Sequence, residues 1–419
     1  MPTEKTDVLI VGGGVIGLAT AVALLEAGRS VRVIEATHVG AGASHGNCGT
    51  LTPSHAPPLA APGVVMEALR SLLTPDAPLY VSPKWDPQRW RWLLGFALRA
   101  NVRDWESSAR GKYALLNDSR HRIEDWVGKY AMDCQFVSSG EDYVFRSEAA
   151  MQHELKEIPL LQSLGVVPEI MDGRSYEAIE PALRPGVVGA IRFNGDAMLR
   201  PDQWLTCLAA QVRRLGGEIL EQTPLQSLTR SGAHWLGHST QRQFLAKDVV
   251  IATGAWSPLL AKTLGAPWLR RVIQPGKGYS ITYDPPALVP KRPLVLRDRS
   301  VCVTAWDGGF RLGSTMEFSG YDTRLNEKRL NALVRGAREF LHVPEGPRIQ
   351  EKWFGWRPMS VDDMPLLGPV PGQSQLWLAT GHGMMGVSMS AGTGQLMADL
   401  MTGTTPAIDP APYSPARFV

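Results

Sequence analysis

Cysteine is scarce in this chain of 419 residues. Only Cys48, Cys134, Cys207 and Cys302 occur, far apart and without a CxxC pair. Neither a disulfide framework nor a zinc cluster is expected, and a reducing compartment, the cytoplasm, is the simpler setting. No sign of charge dominates. Lys and Arg total 43 against 40 Asp and Glu, for a net charge of +3, and the basic residues form no runs, so nucleic-acid binding has no support. Metal chemistry lacks a pattern too. His234 and His238 stand four apart, but no HExxH accompanies them and SGAHWLGHST reads as a hairpin, so no metal is expected. Long hydrophobic runs are missing with one exception, residues 8–25. Gly12, Gly13, Gly14 and Gly17 interrupt that stretch, and Asp7 and Glu26 flank it closely. It therefore reads as a strand, turn and helix, not a signal peptide or membrane span.

What is present is length and order. A chain this long exceeds one compact core, so two domains are expected. Residues 7–11 are apolar without alternation, as in a parallel strand covered on both faces. Residues 15–27 have helical periodicity ended by Gly28, and 30–35 are a second strand, completing a βαβ unit. Residues 53–87, rich in Pro and Ala, read as an extended loop, and 88–130 as helix. Strands are expected at 143–146, 187–193, 217–221, 244–253 and 376–380, with helices at 201–215, 326–341 and 384–401. Residues 271–284 and 300–318 alternate as in an antiparallel sheet. The fold class is α/β: a Rossmann-like dinucleotide-binding domain plus an α+β substrate domain with an antiparallel or mixed sheet. The dinucleotide domain takes 1–80, 201–255 and 351–419. The substrate domain takes 81–200 and 256–350.

Three motifs carry chemistry. Gly12-Gly13-Gly14-Val15-Ile16-Gly17 matches GxGxxG. Gly12 permits the tight turn, Gly14 lets the backbone approach a diphosphate, and Gly17 lets helix and strand pack closely. The helix start behind it, at Val15 and Ile16, offers amides and a positive dipole end to phosphates. Glu35 closes the second strand and can accept hydrogen bonds from ribose hydroxyls while repelling a 2′-phosphate. This context suits FAD or NAD alike. The apolar strand running into Ala252-Thr253-Gly254 is the return beside the cofactor seen in flavoproteins with two domains, and it favours FAD. Gly381-His382-Gly383-Met384 precedes the helix expected at 384–401, a second helix start suited to negative charge on a reduced flavin.

With GGGVIG, Asn47-Cys48-Gly49 leading through Thr52-Pro53 to Ala60-Ala61-Pro62-Gly63, Gly276-Lys277-Gly278-Tyr279-Ser280, GWRPMSVDDMPLLGP and TGHG, the chain resembles the D-amino acid oxidase superfamily of flavoproteins nearly end to end. It is most similar to the bacterial D-amino acid dehydrogenases. The stretch 100–180 is the least diagnostic. The resemblance implies FAD held without nicotinamide, at Gly12, Gly14, Val15, Ile16, Gly17, Glu35, Ala36, Ser44, Asn47, Cys48, Gly49, Leu225, Thr253, Gly254, Gly381, His382, Gly383 and Met384. It implies oxidation of a D-amino acid by hydride transfer from Cα to flavin N5, with electrons passing to a quinone or another carrier, or to O2 in oxidases. In the resembled family the Arg of G-x-R-P, here Arg357, holds the substrate carboxylate; a structural ion pair with Asp362 or Asp363 is the plainer alternative. Tyr279 either donates its hydroxyl to the same carboxylate or packs in a core. Thr50, Thr52 and His55 line the substrate side. Close relatives often have Tyr where His55 stands, and rings such as D-proline or hydroxyproline are substrate candidates. Ser44, Gly46 and Gly49 face the diphosphate and ring edge.

Residues 85–99 mix Trp, Leu, Phe and Arg at helical spacing. Such a helix lies on the inner face of an anionic membrane and reaches quinone, or else covers the substrate domain as core. Two other readings remain: an O2-using amine oxidase of the glycine or sarcosine type, and a flavin-binding subunit inactive alone.

Overall fold

The computed structural model describes residues 3–64 and 79–419. Part of the loop expected at 53–87 lies outside them. Two sheets organise the chain. The first has eight strands. Thr3–Val11 is central, parallel to Val31–Ile34 on one side and to Gln243–Ile251 on the other. Glu218–Leu220 extends the sheet beyond Val31–Ile34. Gln243–Ile251 pairs the hairpin Ser227–Ser231/His234–His238 with its first half and Leu376–Thr380 with its second. Leu366–Pro369 closes that edge in antiparallel register.

The central strand shows why its sequence does not alternate. Val8 and Ile10 enter one core, packed with the helices Val15–Glu26, Pro201–Arg214 and Ser390–Thr402. Leu9 and Val11 enter another, on the opposite face. A period of two with apolar residues at every position fills both sides of the sheet.

The second sheet has nine strands, ordered Ile349–Ser360, Ile273–Tyr283, Gly309–Phe318, Val301–Trp306, Leu294–Leu296, Glu141–Phe145, Gly189–Phe193 and Glu169–Asp172, with Leu79–Val81 added beside Gly309–Phe318. Most pairs are antiparallel. The helix Glu327–Phe340 buries Leu330, Leu333 and Phe340 against it.

Four expectations need correction. The limit placed at 350 falls at the start of Ile349–Ser360, a strand of the nine-stranded sheet, so the chain returns to the first sheet only after Ser360. The limit placed at 80 likewise cuts Leu79–Val81. The helix Val102–Tyr130, expected with the substrate domain, sends Leu115, Leu116, Ile123 and Trp126 into the core of the dinucleotide sheet. Its partner there is Ser390–Thr402: a Cβ on Gly392 would lie 2.9 Å from Ser119 Cβ. Finally, that last helix starts at Ser390 rather than 384. Residues 383–389 form successive turns, with the Met385 amide donating to His382 and the Met389 amide to Met385. The glycine turn is therefore separated from the helix start, and no dipole end stands there.

Candidate active site

A cavity of about 1430 Å³ opens between the two sheets. Pockets for one drug-sized ligand run to roughly 300–1,000 Å³, so this one has room for a dinucleotide and a substrate. One end is the turn after Thr3–Val11. Gly12 has φ +116°, and a Cβ there would meet Ala252 O at 2.5 Å. A Cβ on Gly17 would lie 2.0 Å from Gly12 O, so only glycine lets the helix begin so close to the strand. The Ser44 hydroxyl accepts the Val15 amide at 3.1 Å, and no acidic side chain crowds the first turn. The remaining first-turn amides have no partner within the helix. Glu35 accepts from the Gly13 and Thr37 amides at 2.7 and 3.0 Å, which fixes its carboxylate at the cavity wall.

Of the expected cofactor residues, Gly12, Gly14, Val15, Ile16, Glu35, Ala36, Ser44, Asn47, Cys48, Leu225, Thr253, Gly254, His382, Gly383 and Met384 line the cavity. Others act from behind it. Gly49 has φ +79°, its amide donates to Asn47 Oδ1 and its carbonyl accepts from Leu199, so its backbone groups are engaged away from any ligand. Gly381, at φ +82°, packs against Leu366. A Cβ on Gly46 would lie 2.0 Å from the Trp353 indole, so that glycine makes room for a ring. The buried His382 ring sits 3.0 Å from Thr393 Oγ1, and burial lowers its pKa to about 3. His45 stands 3.0 Å from Glu351 at the surface.

The other end of the cavity is floored by one face of the nine-stranded sheet. Arg357 pairs in register with Gly276. Its guanidinium lies across Gly278, where a Cβ would be 2.5 Å from Cζ, and Nη1 donates to Thr315 O at 2.7 Å. Ser314 and Thr315 have φ of +107° and +69°. Positive φ is a genuine outlier for a β-branched residue, and here the register shifts opposite Lys277 and Tyr279. That distortion stands where the Thr315 carbonyl meets the guanidinium. The plainer alternative for Arg357 does not hold: Asp362 pairs with Arg417 at 2.8 Å and Asp363 with Lys112 at 2.7 Å. Among the described residues no carboxylate pairs with Arg357.

Tyr279 departs from the carboxylate-binding expectation. Alternation turns it to the opposite face from Gly278. Tyr279 contributes to the cavity lining, but its ring is buried in the core and its hydroxyl donates to Glu317 at 3.0 Å.

Beyond Arg357 the same face of the sheet continues through the cross-strand neighbours Gly313, Cys302, Val295 and Tyr143, of which Cys302 and Val295 line the cavity. Cys48 reaches over from the opposite wall; a Cβ on Gly313 would touch its Sγ at 2.4 Å. The adjacent Cys302 thiol lowers the Cys48 pKa against burial, with help from Arg311 and Arg357, while the Cys302 thiol itself is pushed well up. Thr50, Thr52 and His55 form the wall above. The Thr52 amide donates to Ser388 Oγ at 2.9 Å. His55 Nε2 lies 2.7 Å from the Tyr143 hydroxyl and Nδ1 lies 3.6 Å from Glu141 Oε2. Burial, then Arg297 and Lys112, lowers the His55 pKa to about 3, so the ring is neutral.

Glu141, Cys302, Arg297 and Thr315 line this end and have no motif in the sequence. The one available signal is Glu141-Asp142 at the head of a strand with all five residues buried. Asp142 is accounted for by Arg192 and Tyr176. Glu141 is not.

Residues 7–400 match the family model described as DAO, FAD dependent oxidoreductase. The chain belongs to the DAO family. A curated relative, D-amino acid dehydrogenase of Granulibacter bethesdensis, is 31% identical over 98% of this chain and 99% of its own. Among solved structures, glycine oxidase from Geobacillus kaustophilus superposes with a TM-score of 0.77 at 23% identity, covering 100% of both chains. L-alpha-glycerophosphate oxidase from Mycoplasma pneumoniae, solved with FAD bound, gives 0.70 at 16% identity over 96% of this chain and 95% of that one. At these identities the structural likeness speaks to the fold. This DAO-family chain is thus an FAD-dependent oxidoreductase. Its residues fit the cofactor: a tight turn that a Cβ at Gly12 or Gly17 would force apart, a helix with no acidic residue in its first turn, and a fixed carboxylate at Glu35 on the cavity wall.

Proposed function

We propose that this enzyme oxidises a D-amino acid to the imino acid, which hydrolyses to a keto acid or persists when cyclic. The observation that carries the reading is Arg357, a half-buried cation on the cavity floor without a carboxylate partner among the described residues. A planar guanidinium anchored on one side by Thr315 presents its free edge for bidentate capture of a substrate carboxylate. FAD, when bound, supplies the two-electron sink for the Cα–H bond. The chain's own part is to orient and desolvate. Arg357 holds the carboxylate, the neutral walls of Thr50, Thr52 and His55 exclude water, and a neutral substrate amine retains its lone pair. The substrate class includes D-proline-like rings. The relative's name favours this reading over an O2-using amine oxidase.

The acceptor in this reading is a quinone or another non-O2 carrier. The helix Pro87–Arg99 supports it. Trp92 and Arg89 face inward, while Trp85, Trp90, Leu94 and Leu98 are exposed beside the exposed Arg91. No described helix is long and apolar enough to cross a membrane, so this face would lie on one, at the inner side of the cytoplasmic membrane. Flotation with anionic liposomes at low salt tests it; protein left at the bottom of the gradient would refute membrane contact.

The decisive experiment is anaerobic mixing with a panel of D- and L-amino acids while the flavin absorbance is followed. Bleaching by D-isomers is expected. Bleaching by L-isomers alone would overturn the stereochemistry, and no bleaching by either would favour an inactive subunit. Dye reduction that outpaces oxygen consumption would support the dehydrogenase.

A further inference from the structure

Glu141 is an unexplained ionisable group of the cavity. The residue is wholly buried, it lines the cavity, and neither carboxyl oxygen has a well-formed hydrogen bond among the described residues, with the Thr50 side chain close by. His55 Nδ1, 3.6 Å away, is buried and unpartnered as well. Buried polar atoms are nearly always paired, and a group left alone costs free energy that a fold does not keep without reason. Two such groups side by side, at the end of a substrate cavity, point to a ligand group that completes them.

The layout says which part of the ligand. Tyr143 is on the same face of the sheet as Cys302 and Val295, and Glu141 is two residues before Tyr143 on that strand. Arg357 reaches the same face from the other side. An α-carboxylate on Arg357 therefore sends the substrate side chain past Cys48 and Cys302 towards Glu141 and His55.

We propose, on the basis of the D-amino acid reading above, that Glu141 and His55 receive a side-chain hydroxyl, so that the preferred substrates are hydroxylated D-amino acids. The chemistry of this end selects that group. Burial, then Asp196 and Cys48, raises the Glu141 pKa well above the usual carboxylate range and so favours its protonated form, the nearby Thr50 side chain acting against them, and His55 is neutral. A protonated carboxyl and a neutral imidazole each donate and accept, and a hydroxyl matches both whichever tautomer His55 takes. A methyl group satisfies neither. An ammonium only donates, and Arg297 and Lys112 already bear on His55 as cations.

The test is kcat/KM on matched pairs: D-serine with D-alanine, D-threonine with D-valine, and cis-4-hydroxy-D-proline with D-proline. A site built around a hydroxyl rejects analogues lacking it strongly, so the wild type should favour the hydroxylated member of at least one pair by about tenfold or more. Glu141→Leu should bring that ratio towards one. Glu141→Gln, the same shape with donors and an acceptor, should retain part of it. Both variants should keep the flavin spectrum, and Glu141→Leu should melt no lower than wild type, because it removes an unsatisfied buried group. A wild-type ratio near one for every pair, or a ratio untouched by Glu141→Leu, overturns the proposal while leaving D-amino acid oxidation standing. Failure of all D-amino acids to bleach the flavin overturns the underlying reading, and this proposal with it. If Glu141→Leu does not fold, the wild-type ratios and Glu141→Gln decide.

Discussion

Arg357, half-buried, and His382, buried, show how differently two residues of one cavity are used. Arg357 meets a backbone carbonyl on one side and no carboxylate, which is the state of a cation awaiting an anion. Removing one member of a buried, hydrogen-bonded charge pair costs about 2–5 kcal/mol. Arg357→Ala should therefore weaken substrate binding by more than tenfold with the flavin spectrum intact, and Arg357→Lys should restore part of the loss. Anaerobic titration of the flavin reads both, and unchanged affinity in the alanine variant would refute the clamp. His382 has a structural part, with its ring against Thr393. Its folded pKa is lowered to about 3, whereas an unfolded histidine titrates near 6.5. Unfolding therefore takes up a proton between those values, and stability falls as pH drops through that window. His382→Gln lacks this linkage. Relative to wild type it should gain stability, on the order of a few kcal/mol, between pH 6.5 and 4, and melting curves against pH will show whether the difference is flat instead.

At the scale of elements, the strand Ile273–Tyr283 separates two duties by its pleat. One face is left bare at Gly278 so that Arg357 can lie across it, and at Gly276 so that Met316 and Met359 can pack there. The other carries Tyr279 into the core. Gly278→Ala places a methyl 2.5 Å from Arg357 Cζ. We expect FAD binding to survive and substrate affinity to fall about tenfold, a change of about 1.4 kcal/mol; an unaltered affinity would show that the guanidinium has room to move. The spacing Gly276-Lys277-Gly278-Tyr279 is plain in the sequence. Which residues face the cavity is not, because alternation alone does not say which face of a strand is which, and a slip of one residue exchanges them. The long helix Val102–Tyr130 has the same ambiguity. Its periodicity identifies a helix, and only the packing of Leu115 and Trp126 attaches it to the dinucleotide core.

On the scale of the whole molecule, the dinucleotide sheet draws its strands from 3–34, 218–251 and 366–380, while the substrate sheet takes what lies between. The cavity lies where the two meet, so a bound cofactor ties both together. Ligands that bind only the folded state stabilise it by mass action, about 2.7 kcal/mol at a hundredfold excess over Kd. Protein stripped of FAD should melt lower than the holoenzyme, and its melting temperature should climb with added FAD. A melting temperature indifferent to FAD would mean that the cradle at Gly12 and Gly17 is not where the cofactor binds.

The sequence by itself determined what rests on local chemistry. Gly12, Gly14 and Gly17 between an apolar strand and a helix define a phosphate turn, because a Cβ at Gly12 or Gly17 collides with backbone a few residues away or on the neighbouring strand. Glu35 and the Ala252-Thr253-Gly254 return follow from the same βαβ logic. Tertiary structure decided what depends on residues distant in the chain. It freed Arg357 by giving Asp362 to Arg417 and Asp363 to Lys112, and it bound the Tyr279 hydroxyl to Glu317. It also set Glu141 beside His55, eighty-six positions earlier, and left the Glu141 carboxyl and His55 Nδ1 without a well-formed hydrogen bond among the described residues. A buried carboxyl without a partner leaves no trace in a sequence, since its meaning lies in the neighbours that are not there.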